Sequence, residues 1–139
     1  MKIFKIGARA FIVLGALHLL AHIFSSPEDP MSIKLLQDME NCKINILGEH
    51  NFLKFYNGFS ISMGVLLSAF GLQCLILSEF ILENRKALYT TIIITAIVFA
   101  LSIAYFHIVA YGFTFFSLIC FLYALVKTEI LINTKISNR

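Results

Sequence analysis

The stretch ALYTTIIITAIVFALSIAYFHIVA, Ala87–Ala110, contains no Asp, Glu, Lys or Arg. Crossing the hydrocarbon core of a bilayer takes about 20 predominantly apolar residues. This stretch is long enough, and Arg85 and Lys86 stand directly before it. Three other blocks are long and predominantly apolar, although Arg9, Lys127 and Glu129 fall within them: roughly Ile6–Phe24, Phe55–Leu77 and Phe113–Ile132. Their apolar residues are continuous rather than alternating, so a β-barrel pattern is absent. Lipid offers backbone groups no water, and a helix satisfies them within the segment. The expected fold class is therefore all-α: an integral membrane four-helix bundle forming a single domain over residues 1–139.

Composition agrees. The chain has 139 residues, of which 59% are hydrophobic and 14% charged. A soluble domain of this length could not hide so much apolar surface. Basic residues then orient the spans. Lys2, Lys5, Arg9, Arg85, Lys86, Lys127, Lys135 and Arg139 fall on one side, against Lys34, Lys43 and Lys54 on the other. The positive-inside rule places both termini in the cytoplasm and the 25–51 loop outside. The net charge of +3 is then a topology signal, and no nucleic-acid partner is expected. The first span resembles a signal peptide in its basic start, but it holds two histidines and lacks a small-x-small cleavage site, so it reads as retained. Cys42, Cys74 and Cys120 show no metal-ribbon or CxxC spacing and read as thiols without a disulfide framework.

The outer loop begins SSPEDP, Ser25–Pro30. Asp29 before Pro30 reads as an N-cap with proline in the first turn. Residues Met31–Glu40 then predict a short amphipathic helix that lies on the membrane surface or covers the bundle. Gly48 permits a turn, and Asn51 can cap span two. Within the spans, small residues mark close helix packing. Span one carries Ala8, Phe11, Gly15, His18 and His22 on one face, with Ile12, Leu19 and Ile23 toward lipid. Span two carries Asn57, Ser60, Gly64, Ser68 and Gly71. Span three places Ala96, Ala100, Ala104, His107 and Tyr111 along one side, with Tyr111-Gly112 as the outer turn into span four.

The four histidines are the candidate functional residues. Ionisable groups within a membrane are costly and usually face the bundle interior. A rise of about 1.5 Å per residue puts His18 roughly 6 Å deeper than His22, and His107 about 6 Å below the outer boundary. Three readings of this cluster stay open. In one, neutral imidazoles hydrogen-bond across helices. In another, His18, His22 and His107, with His50 or Glu49 as a fourth ligand, hold a transition metal, or one histidine of span one and His107 ligate haem axially. The His-x-x-x-His spacing lacks the glutamate of the metalloprotease motif. In the third, His18, His22, Tyr56, Asn57, Ser60, His107 and Tyr111 line a pocket for a small hydrophobic molecule, with Tyr105 also available. Histidine titrates near neutral pH, so an outer site would sense external acidity.

FLKFYNGFS, Phe52–Ser60, together with the His18/His22 helix and the proline- and methionine-containing outer loop, resembles a family of small bacterial four-span integral membrane proteins. The match covers residues 10–75 and is most specific at Phe55-Tyr56-x-Gly58-Phe59. The resemblance implies a four-span fold in a bacterial cytoplasmic membrane and assigns no catalytic residue. That family carries an acidic residue before the Phe-Tyr pair. Lys54 stands there in this chain, so a role for that acid does not carry over.

No nucleophile elbow or phosphate-cradling loop occurs, and no carboxylate pair lies within a span. No broken helix marks a midplane transport site. The expectation is a non-catalytic membrane protein. It would be an accessory subunit or small hydrophobic-ligand binder with an outer, histidine-lined pocket, and its partners would be the bilayer and a membrane subunit or second copy. The alternative is a haem- or metal-binding redox protein using His18, His22 and His107.

Overall fold

A computed structural model describes residues 2–45, 48–81 and 84–137, with side chains as far as residue 130. Ile46, Leu47, Glu83 and Arg139 lie outside the described residues, as do the side chains of Ile132 and Lys135. The elements in order are α1 (Lys2–Phe24), α2 (Pro30–Asn41), β1 (Lys43–Asn45), β2 (Glu49–Asn51), α3 (Phe52–Leu77), α4 (Arg85–Tyr105) and α5 (Ile108–Ser137). Helices α1, α3, α4 and α5 are long and apolar enough to cross a membrane. The chain divides into two compact units: Met1–Leu14 with Leu67–Arg139, and Gly15–Leu66.

The first unit has an aromatic core. Phe4, Ala8, Phe11, Cys74, Ile81, Leu88, Phe121 and Ala124 are buried together. Phe4 and Phe121 lie 4.7 Å apart between ring centroids, and Phe11 meets Phe70 edge-on at 4.9 Å. Such pairs contribute beyond the area they bury. Two close approaches join the helices. Ser117 Oγ on α5 donates to the Gly7 carbonyl oxygen of α1 at 3.0 Å. Gly71 of α3 lies so near Ala8 and Ile12 that a Cβ there would meet the Ala8 carbonyl oxygen at 2.7 Å.

The packed face of α4 differs from the expected one. Leu88, Thr91, Thr95 and Ser102 are buried, whereas Ala96, Ala100 and Ala104 are exposed. Hydroxyl side chains can occupy a dry helix interface when their O–H turns back to the preceding turn of the same helix. Thr91, Thr95 and Ser102 each do this, donating to the carbonyls of Ala87, Thr91 and Val98. On α5, Thr114, Ser117 and Thr128 are buried and bonded to the carbonyls of Ala110, Phe113 and Ala124. Alanine exposes little surface and no polar atom, so it can face lipid without penalty. On α1, Ile12 and Leu19 are half-buried rather than lipid-facing, because each fills the space beside an α3 glycine.

The turn between α4 and α5 also differs. It lies at Phe106-His107, with Phe106 extended at φ −123° and ψ 170°. Tyr111 and Gly112 are already helical, within α5.

The second unit contains α2 and a two-stranded antiparallel hairpin, whose strands are the only ones among the described residues. Asp29 caps α2 by accepting from the Met31 and Ser32 amides at 2.9 and 3.1 Å, and Pro30 opens the first turn. The hairpin pairs Lys43 with Asn51, Ile44 with His50 and Asn45 with Glu49. Its turn includes Gly48 at φ 136°, a conformation that favours glycine. The Phe52 amide donates to the Cys42 carbonyl at 2.9 Å, and Asn51 Oδ1 accepts from the Lys54 amide, so hairpin and α3 join without a loop.

Candidate functional site

Gly64 makes the site possible. A Cβ on it would meet Leu19 at 2.6 Å and the Gly15 carbonyl oxygen at 3.2 Å, so α1 and α3 approach closely within the second unit. One turn away along this seam, His18 Nε2 lies 3.0 Å from the Ser60 carbonyl oxygen and 3.2 Å from Ser60 Oγ. His18 and Ser60 are both half-buried. The Gly15/Gly64 and His18/Ser60 pairings show that the two helices run antiparallel. Extending that register by a turn brings Asn57 to the level of His22, and both are half-buried.

The hydrogen positions follow from the partner. A carbonyl oxygen accepts and never donates. A bare Nε2 would set two lone pairs against each other at 3.0 Å, so Nε2 carries the hydrogen. A neutral imidazole has one N–H, which leaves Nδ1 as an acceptor. Among the described residues Nδ1 accepts no hydrogen bond, and no buried side-chain nitrogen or oxygen lacks a partner. Nδ1 is therefore open at the surface of the seam. Tyr56, exposed, stands one turn before Ser60 on the same side of α3. Phe55 and Phe59 are exposed beside it.

The expected seven-residue pocket divides between the units. His18, His22, Tyr56, Asn57 and Ser60 belong to the second, and His107 and Tyr111 to the first. His107 is exposed in the α4–α5 turn, where its carbonyl accepts from the Ala110 amide at 3.0 Å. It therefore lies past the end of α4, not one turn within a span. Tyr111 is half-buried on α5. Glu49 and His50 are exposed on β2, where His50 faces Ile44 across the hairpin. Among the described residues no three of His, Cys, Asp or Glu are grouped so as to hold a metal ion. Axial ligation of haem through the His18 Nε2 would first require it to leave Ser60.

Outside the spans, Asp29 has its carboxyl held below the ordinary value of 3.8. The Ser32 hydroxyl is the main cause, followed by the Ser32 amide, with a smaller contribution from the Met31 amide. This is the chemistry of a helix start. The sequence did not mark the hairpin, although the alternation in Lys43-Ile44-Asn45 and Gly48 five residues on were its signals. No protein-family model matches the chain, and no curated protein or solved structure matches it.

Proposed function

We propose that the protein is a non-catalytic multi-pass protein of the bacterial cytoplasmic membrane that binds a small hydrophobic molecule with a polar head. Both termini lie inside and the 25–51 loop outside. The α1/α3 seam, with His18, His22, Asn57, Ser60 and Tyr56, is the binding surface. One observation carries this reading: His18 is held by Ser60 across two apolar helices, with an acceptor nitrogen left open. A few fixed polar groups beside aromatic and aliphatic walls suit a ligand of this kind. Leu17 and Leu20 on α1 and Tyr56 on α3 supply exposed apolar surface around it.

Native mass spectrometry of the protein released from membranes tests the proposal. The expected result is a retained small amphipathic molecule that is lost in His18→Leu. A colourless, metal-free sample carrying a partner subunit and no small molecule would replace the binder with an accessory subunit. A Soret band or stoichiometric metal, lost in His107→Ala, would contradict both.

A further inference from the structure

We infer that the ligand of the α1/α3 seam is a hydrogen-bond donor: a hydrophobic molecule with a hydroxyl group, which it gives to His18 Nδ1. This rests on the binding surface proposed above and adds the chemical class of its occupant. The Ser60 carbonyl, 3.0 Å from Nε2, fixes the ring hydrogen on that nitrogen. Ser60 Oγ lies at 3.2 Å from the same nitrogen and, as a hydroxyl, can accept from it as well. In the neutral imidazole that hydrogen is the ring's one N–H. The remaining nitrogen then offers one lone pair and no hydrogen. Groups that only accept, such as a ketone, an ether or the carbonyls of a quinone, have nothing to give it. An alcohol or a quinol does.

Water could satisfy Nδ1, but the surroundings favour a donor with an apolar body. On α1, Leu17 and Ala21 flank His18 and both are exposed. Tyr56 is exposed one turn from Ser60 on the same side of α3. An alkyl chain lying along these residues would exclude the water that otherwise competes for Nδ1, and a hydrogen bond is stronger where water is excluded.

The test uses the full chain in dodecylphosphocholine, a detergent without hydroxyl groups, with its histidines labelled with 15N. The probes are 1-dodecanol and its methyl ether, which share an alkyl chain and an oxygen and differ in the O–H. The expected result is a bare Nδ1 in the free protein whose resonance moves on adding the alcohol, with the alcohol binding about fivefold tighter than the ether. His18→Leu has neither a donor nor an acceptor at this position and is expected to bind both probes alike, while the labelled parent ring reports the tautomer without any substitution. Equal binding of the two probes to the parent protein, or a hydrogen found on Nδ1, would overturn the inference and leave the binding surface standing. Binding of neither probe would overturn the surface and the inference together.

Discussion

A methyl group added at Gly71 would lie 2.7 Å from the Ala8 carbonyl oxygen and 2.9 Å from the Ile12 amide nitrogen. Both are backbone atoms and cannot step aside. Gly71→Ala is therefore expected to destabilise the protein by about 1–3 kcal/mol, the usual cost of overpacking. At Gly58 and Gly112 a Cβ would meet nothing within 4 Å. Alanine at either is expected to be neutral or to stabilise by up to about 1 kcal/mol through helix propensity. Thermal melting of the purified variants measures all three, and equal losses would contradict the close approach of α1 at Gly71. Gly64, Gly71 and Ser60 were legible as a stripe of small residues at helical spacing. The roles of Ile12 and Leu19 were not, because a large side chain beside a partner's glycine has the same sequence signature as one facing lipid. The tautomer of His18 was not legible either, since it depends on a carbonyl oxygen 42 residues away.

The elements show where periodicity informs and where it misleads. Long, predominantly apolar blocks marked the spans, and the Asp29-Pro30 pair marked the start of α2. The face of α4 was misread because alanine and threonine both recur at helical spacing, and only packing chooses between them. Thr95 is fully buried, while Ala100 is exposed. Thr95→Leu is expected to cost about 1–3 kcal/mol by overpacking. Ala100→Leu is expected to stay within about 0.5 kcal/mol, as for other surface changes. Denaturation of the two variants under one set of conditions separates these outcomes, and a reversed order would restore the alanine face. The turn at Phe106-His107 was missed because neither residue is a turn former, while Gly112, which looks like one, is tolerated within α5. At α2, pH supplies the test. The folded carboxyl of Asp29 titrates below its ordinary value of 3.8. Its contribution is therefore complete above that value and is lost as pH falls through the folded one. Amide exchange at Met31 and Ser32 is expected to accelerate below about pH 4 beyond its intrinsic pH trend. Asp29→Asn, which still caps, should remove that acceleration.

At the scale of the molecule, four apolar helices were legible because the membrane's thickness sets a length that sequence must meet. The division into two compact units was not, since no composition shift or linker falls at residue 14 or 66. The hairpin escaped notice because its strands are three residues each and their alternation is too short to stand out. Orientation rests on eight basic residues against three, and it decides which solution the His18 seam meets. The cysteines provide a direct test of it. Cys42 is exposed at the end of α2, whereas Cys74 and Cys120 are buried. Intact bacterial cells expressing the protein can be treated with a membrane-impermeant maleimide and the labelled residue identified by peptide mapping. Cys42 is expected to be labelled in intact cells, and Cys74 and Cys120 are expected to stay unlabelled. Labelling of Cys42 only after the cells are permeabilised would put the 25–51 loop in the cytoplasm and contradict the proposed outward-facing site.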